Sequence, residues 1–124
     1  MARILIVEDN PDNLKLFRAL LTLKGHEVTA LLSGEGLLET IRQDQPDLVL
    51  MDIQLPGING IEALRQVRAD PGCARIPVVA FTASVTSTDR SQISAAGFDG
   101  FLSKPINLKE FLETVKRLLE SRPA

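Results

Sequence analysis

The chain has 124 residues, of which 44% are hydrophobic and 24% charged, with a formal net charge of −2. That length supports one core and leaves nothing for a second folded unit, the composition argues against disorder, and the charge lacks the basic excess that holds a nucleic-acid backbone. The lone cysteine, Cys73, can close neither an internal disulfide nor a zinc site, and it lies beside Pro71 and Gly72 as a spectator loop thiol. The opening MARILIV is too short for a signal-peptide core or a membrane span, so the expectation is a soluble, cytoplasmic protein with no direct nucleic-acid or membrane partner.

In chain order, residues 3–7 form a short apolar run that predicts a buried first strand ending in Glu8, Asp9 and Asn10. Pro11 suits the first helical position, and Leu14, Phe17, Leu20 and Leu21 recur at helical spacing. Lys24 and Gly25 stop that helix, and His26 reads as a surface loop residue. Residues 27–32 predict the second strand, and 35–44 a weaker helix on Leu37, Leu38 and Ile41, stopped by Pro46. Residues 48–51 are apolar without alternation, as in a strand buried on both faces, and they run into Asp52 and a loop rich in Pro and Gly.

A helix over 61–69 follows, burying Ile61, Leu64 and Val67, with Asp70, Pro71 and Gly72 as its break. Residues 76–81 predict the fourth strand, with Pro77 tolerated near its start. Residues 86–96 predict a helix of poor propensity, rich in Ser and Thr, closed by Gly97. Residues 98–102 predict the fifth strand. Asn107 with Glu110 makes a capping-box-like start for the best amphipathic helix, on Leu108, Phe111, Leu112, Val115, Leu118 and Leu119. Five strand-then-helix units with short links predict an α/β fold: a doubly wound, five-stranded parallel sheet of order 2-1-3-4-5, flavodoxin-like.

In such a sheet all strand C-termini share one edge, which collects Glu8 and Asp9, Asp52, Thr82 and Lys104. Three converging carboxylates repel one another unless a cation joins them, and an oxygen-only set suits a hard divalent ion such as Mg²⁺. A metal beside one carboxylate, with an ammonium and a hydroxyl opposite, is a layout for phosphoryl transfer in which Asp52 attacks in line and carries an acyl phosphate. Each residue has an ordinary alternative. Asp52 can cap its loop, Glu8 and Asp9 can cap the first helix, Thr82 can be a strand-end hydroxyl and Lys104 a solvated charge. Their coincidence at four strand ends favours the functional reading.

The segments LIVEDN, LMDIQLPGINGIE, IPVVAFTA and FLSKPI, in register over essentially the whole chain, resemble the receiver domains of bacterial two-component response regulators, the CheY-like family. The ends of the chain look most like single-domain DivK-like receivers. The resemblance implies one receiver domain over 1–124 with no output domain. It implies Asp52 as phosphoacceptor, direct Mg²⁺ binding by Asp9 and Asp52, Glu8 acting mainly through water, and the Gln54 backbone carbonyl as a further ligand. It also implies Thr82 and Lys104 on the phosphoryl group, a cis Lys104–Pro105 bond, Phe101 as the aromatic switch, and Gln54 and Ser84 tuning phosphoryl lifetime. Two positions depart from the commonest pattern: the acidic pair is Glu-Asp, and the switch residue lacks a tyrosine hydroxyl.

The implied partners are a histidine kinase or histidine phosphotransferase, docked partly by Lys15, Arg18 and Thr22 of the first helix, and a downstream protein. The signal would leave through the face made by the fourth helix, fifth strand and last helix. Such a protein is no enzyme beyond its own phosphorylation and dephosphorylation. Two rivals share features of the pattern. A haloacid-dehalogenase-like phosphatase would want an acid where Gln54 stands, and a flavodoxin-like cofactor binder would want a phosphate-cradling loop where Glu8 and Asp9 stand.

Overall fold

The computed structural model describes residues 2–32, 36–52, 60–72, 76–82, 95, 97–103 and 106–121. Its elements are β1 (Arg3–Val7), α1 (Pro11–Leu23), β2 (Glu27–Leu31), α2 (Leu37–Asp44), β3 (Leu48–Asp52), α3 (Gly60–Ala69), β4 (Val78–Thr82), β5 (Gly100–Ser103) and α4 (Leu108–Ser121). The strands make one sheet in the order β2-β1-β3-β4-β5, and every pairing is parallel. The sheet order read from the alternation of elements is therefore the one observed. The helix expected over 86–96 lies outside the described residues except at Ala95, as does Cys73.

Successive residues of a strand point to opposite faces, so each central strand feeds two cores. Leu5 and Val7, Val49 and Met51, and Val78 and Ala80 pack on one face with Leu37, Ile41, Leu64 and Val67 of α2 and α3. Ile4 and Ile6, Leu48 and Leu50, and Val79 and Phe81 pack on the other with Phe17, Leu21, Phe111 and Val115 of α1 and α4. This two-sided burial is why β1 and β3 read as unbroken apolar runs. On the second face three rings meet: Phe17 stacks on Phe111 at 5.0 Å between centroids and tilts against Phe81 at 5.2 Å.

Local chemistry sets the helix ends. The Asn10 side chain accepts from the backbone N–H groups of Asp12 and Asn13, with Pro11 inside it as the first helical residue. Gly25, at φ +88°, takes the left-handed position after α1. Gln45 takes φ +47° at the end of α2, where the following Pro46 disfavours a further helical residue. Asn107 accepts from the Glu110 N–H at 3.0 Å, as its spacing to Glu110 predicts.

Several expectations shift. β4 begins at Val78 rather than 76, because Pro77 has no N–H for the ladder and contributes only its carbonyl, to the Val49 N–H. β5 begins at Gly100 rather than 98. The Asp99 carboxylate accepts the Val78 N–H at 2.8 Å, and Phe98 is buried as part of the link. Arg68 of α3 holds that link by donating to the carbonyls of Ile76 and Gly97 and to the Asp99 carboxylate. Leu108, expected on the buried stripe of the last helix, is 40% exposed. As the first residue of α4, it has helical neighbours on one side only.

His26 is half-buried rather than a surface loop residue, and its buried Nδ1 has no hydrogen-bond partner among the described residues. Burial disfavours the imidazolium and lowers the His26 pKa below its usual value.

Two outcomes follow from this packing. Phe17→Ala removes the ring common to both close aromatic contacts and is expected to cost about 3–5 kcal/mol, measured as a lower urea midpoint. For His26 the folded pKa is depressed, so below about pH 6.5 the unfolded chain binds more protons and stability falls with pH. Chemical denaturation of wild type and His26→Gln between about pH 7 and pH 5 is expected to show a shallower loss in the variant.

Candidate phosphoryl and metal site

β1 and β3 lie side by side with Val7 opposite Met51, so Glu8 and Asp9 follow one strand where Asp52 ends the other. Across β1, the Glu8 N–H donates to the Leu31 carbonyl at 3.0 Å, which extends the β2 ladder by one bond and fixes the Glu8 backbone. The Glu8 side chain turns back, and its Oε1 accepts the Asn10 N–H at 3.2 Å. One carboxylate oxygen from each of Glu8, Asp9 and Asp52 lies within 4.8 Å of the other two. Glu8 is fully buried and Asp52 is 2% exposed, while Asp9 faces solvent.

Burying carboxylates costs free energy unless positive charge or hydrogen-bond donors meet them. Two buried carboxylates beside a third exposed one form a cation-attracting mouth that opens at Asp9. The donors are all oxygens, without imidazole or thiolate, which fits a hard divalent cation such as Mg²⁺ that keeps part of its water. The residues present fit the ion that the sequence implies.

The remaining candidates arrive by register. Asp52 pairs with Phe81, and Thr82 pairs with Ser103, so Asp52 and the backbone of Thr82 end neighbouring strands at the same edge. Phe101 pairs with Ala80 on β5, is half-buried, and packs against the core that holds Val78 and Ala80. Gln54, Ser84, Lys104 and Pro105 lie outside the described residues, and so does the side chain of Thr82. The structure thus brings together Glu8, Asp9 and Asp52, places the Thr82 backbone on their edge, and sets Phe101 two residues before the end of β5.

Asn10 is the residue to which the sequence reading assigned no role. Its side chain starts α1 and its N–H holds Glu8, so it joins the acidic pair to the helix that follows. An Asn immediately before a Pro at a helix start is the signal that marks it.

A family model for the response regulator receiver domain matches residues 4–116. The chain is 41% identical over 116 residues to the polar-differentiation response regulator DivK of Brucella ovis, covering 94% of each chain, and 40% identical to that of Brucella anthropi. Among solved structures it is similar to the receiver domain of a sensor histidine kinase from Pseudomonas aeruginosa, which has magnesium coordinated in its active site cleft. The TM-score is 0.88 at 33% identity, covering 97% of this chain and 98% of that one. It is also similar to a chemotaxis response regulator of Vibrio cholerae, with a TM-score of 0.89 at 25% identity, covering 95% and 98%.

The cap at Asn10 can be tested alone. Asn10→Ala leaves the backbone N–H on Glu8 but removes both side-chain bonds, and is expected to lower stability by about 1 kcal/mol. Asn10→Ser is expected to retain most of it, read from urea midpoints at unchanged slope.

Proposed function

The chain belongs to the response regulator receiver family, the DivK-like signalling domains of two-component systems, and from that premise we propose that Asp52 is its phosphoacceptor. The observation that carries the reading is the meeting of three carboxylates at the strand ends, with Asp52 itself the terminal residue of the central β3.

The only histidine is His26, beyond the C-terminal end of α1, whereas Glu8 and Asp9 precede the N-terminal end of that helix. α1 has 13 residues, so about 20 Å separates them along its axis. The phosphoryl group therefore comes from a phosphohistidine on another protein, a histidine kinase or a histidine phosphotransferase, or from a small acyl phosphate. A carboxylate oxygen of Asp52 forms the new O–P bond as the P–N bond to the donor imidazole breaks, and the released imidazole takes a proton from solvent. Later attack by water returns the carboxylate and inorganic phosphate. The protein's chemistry is confined to that cycle.

Glu8, Asp9 and Asp52 would hold Mg²⁺, with the Gln54 carbonyl as a further ligand. When bound, the ion neutralises charge on the phosphoryl oxygens. Glu8 acts mainly through water, and its burial orients the acidic pair. Thr82 and Lys104 close on the phosphoryl oxygens, and Gln54 and Ser84 set how readily water reaches them. The added charge of about −1.5 to −2 draws Thr82 inward and lets Phe101 pack deeper, which biases a two-state surface made by residues 86–96, β5 and α4. Lys15, Arg18 and Thr22, all exposed on α1, help dock the donor. A downstream protein reads the altered face. Among the described residues no helix is long and apolar enough to cross a membrane. No observation favours the phosphatase or the cofactor-binding reading.

Intact mass spectrometry after incubation with Mg²⁺ and acetyl phosphate tests the reading. One labile phosphoryl adduct is expected in wild type, none in Asp52→Asn, and none in wild type when EDTA replaces the metal. Absence of an adduct from both a small donor and a phosphohistidine protein would falsify it. The chain has no Trp or Tyr, so mass rather than intrinsic fluorescence is the readout.

A further inference from the structure

Away from the carboxylates, α1 and α4 leave a groove of about 520 Å³ between them. Its floor is apolar, built from Leu21, Leu112, Val115 and Leu119. Along the α4 lip run Glu113, Lys116 and Glu120, and Lys24 stands on the α1 side.

The α4 lip has a pattern of its own. Lys109, Glu113, Lys116 and Glu120 are spaced by four, three and four residues, so they form one stripe along the helix. All four are exposed, and among the described residues none of them makes a side-chain hydrogen bond or an ion pair. Read in chain order the signs are plus, minus, plus, minus. Read backwards they are inverted at every position. The spacing is also symmetric about the midpoint between Glu113 and Lys116. A two-fold axis there lays Lys109 against Glu120 of a second copy and Glu113 against its Lys116, and the same two pairs again in reverse. In an isologous contact, where residue i meets j and j meets i, this stripe is complementary to itself.

From this charge pattern we propose that the groove face between α1 and α4 is a self-association surface, occupied by a second copy of this chain with the two α4 helices antiparallel. The four pairs set register and orientation, as flanking charges do beside a coiled-coil seam. The half-buried Leu112 and Leu119, next to the stripe on the groove floor, supply the apolar contact. The contact lies on the α1 side of α4, and its solvent-facing ion pairs make a weak, salt-sensitive dimer rather than an obligate one. The inference does not depend on phosphorylation of Asp52.

The test is charge reversal read by sedimentation velocity of the full chain at low and high salt. Wild type is expected to self-associate at low salt and to dissociate as salt rises. Lys109→Glu with Lys116→Glu makes the stripe wholly negative, and Glu113→Lys with Glu120→Lys makes it wholly positive. Each double variant alone is expected to weaken association by about tenfold or more. An equimolar mixture of the two is expected to restore the dimer as a heterodimer. Circular dichroism confirms that each variant is folded, and the exposed positions make that the expected result. A wild-type chain that stays monomeric at low salt overturns the proposal. So does a dimer indifferent to both double variants, which would place the contact on another face, and so does a mixture that stays monomeric.

Discussion

The parallel register between β1 and β3 is the constraint on which the rest of this molecule depends. Pairing Val7 with Met51 sets the turn after one strand beside the last residue of the other. A slip of one residue would send Asp52 to the opposite face of the sheet and bury polar groups in an apolar layer. That register runs from Ile4 opposite Leu48 to Val7 opposite Met51, in strands whose paired residues are buried on both faces of the sheet. The carboxylate cluster is a by-product of that packing, which brings an oxygen of each of the three acids to one strand edge.

The cluster opposes the stability of the core that holds it. Glu8 and Asp52 lose almost all contact with water, and Asp9 brings a third charge to within 4.8 Å. Such a group is tolerated where the surrounding backbone is over-determined. Here Glu8 is tied by the Leu31 carbonyl on one side and the Asn10 N–H on the other. The same Asn10 starts α1, whose Phe17 and Leu21 then cover the sheet. Acidic site, helix cap and aromatic core form one continuous structure.

The far side of the sheet is organised by charge in a different way. Arg68 gathers the Ile76 and Gly97 carbonyls and the Asp99 carboxylate, and Asp99 in turn takes the Val78 N–H. This clamp joins α3 to the starts of β4 and β5, and so holds fixed the end of β5 that is opposite Ser103. On α4, by contrast, the exposed lysines and glutamates make no partners among the described residues and leave their charges to solvent or to another molecule.

Much of this was written locally. Unbroken apolar runs, a Pro at a helix start, a Gly at a helix end and an Asn three residues before a Glu are short-range signals, and they identified the strands, the end of α1, the cap of α4, the sheet order and the residues at its C-terminal edge, though not the Asn10 cap. Pro77 at the start of β4 and Leu108 at the start of α4 departed from expectation for local reasons, whereas β5 and His26 were decided by contacts distant in sequence. Asp99 competes for a ladder donor and delays β5, His26 is covered by packing near the end of α1, and Leu108 lies on the right stripe but at its uncovered end. The sequence by itself determined which residue types stand at each strand end, because periodicity and turn chemistry act within a few residues. Only the tertiary structure decided that three of those carboxylates meet, because register and burial are properties of strands that lie more than forty residues apart in the chain.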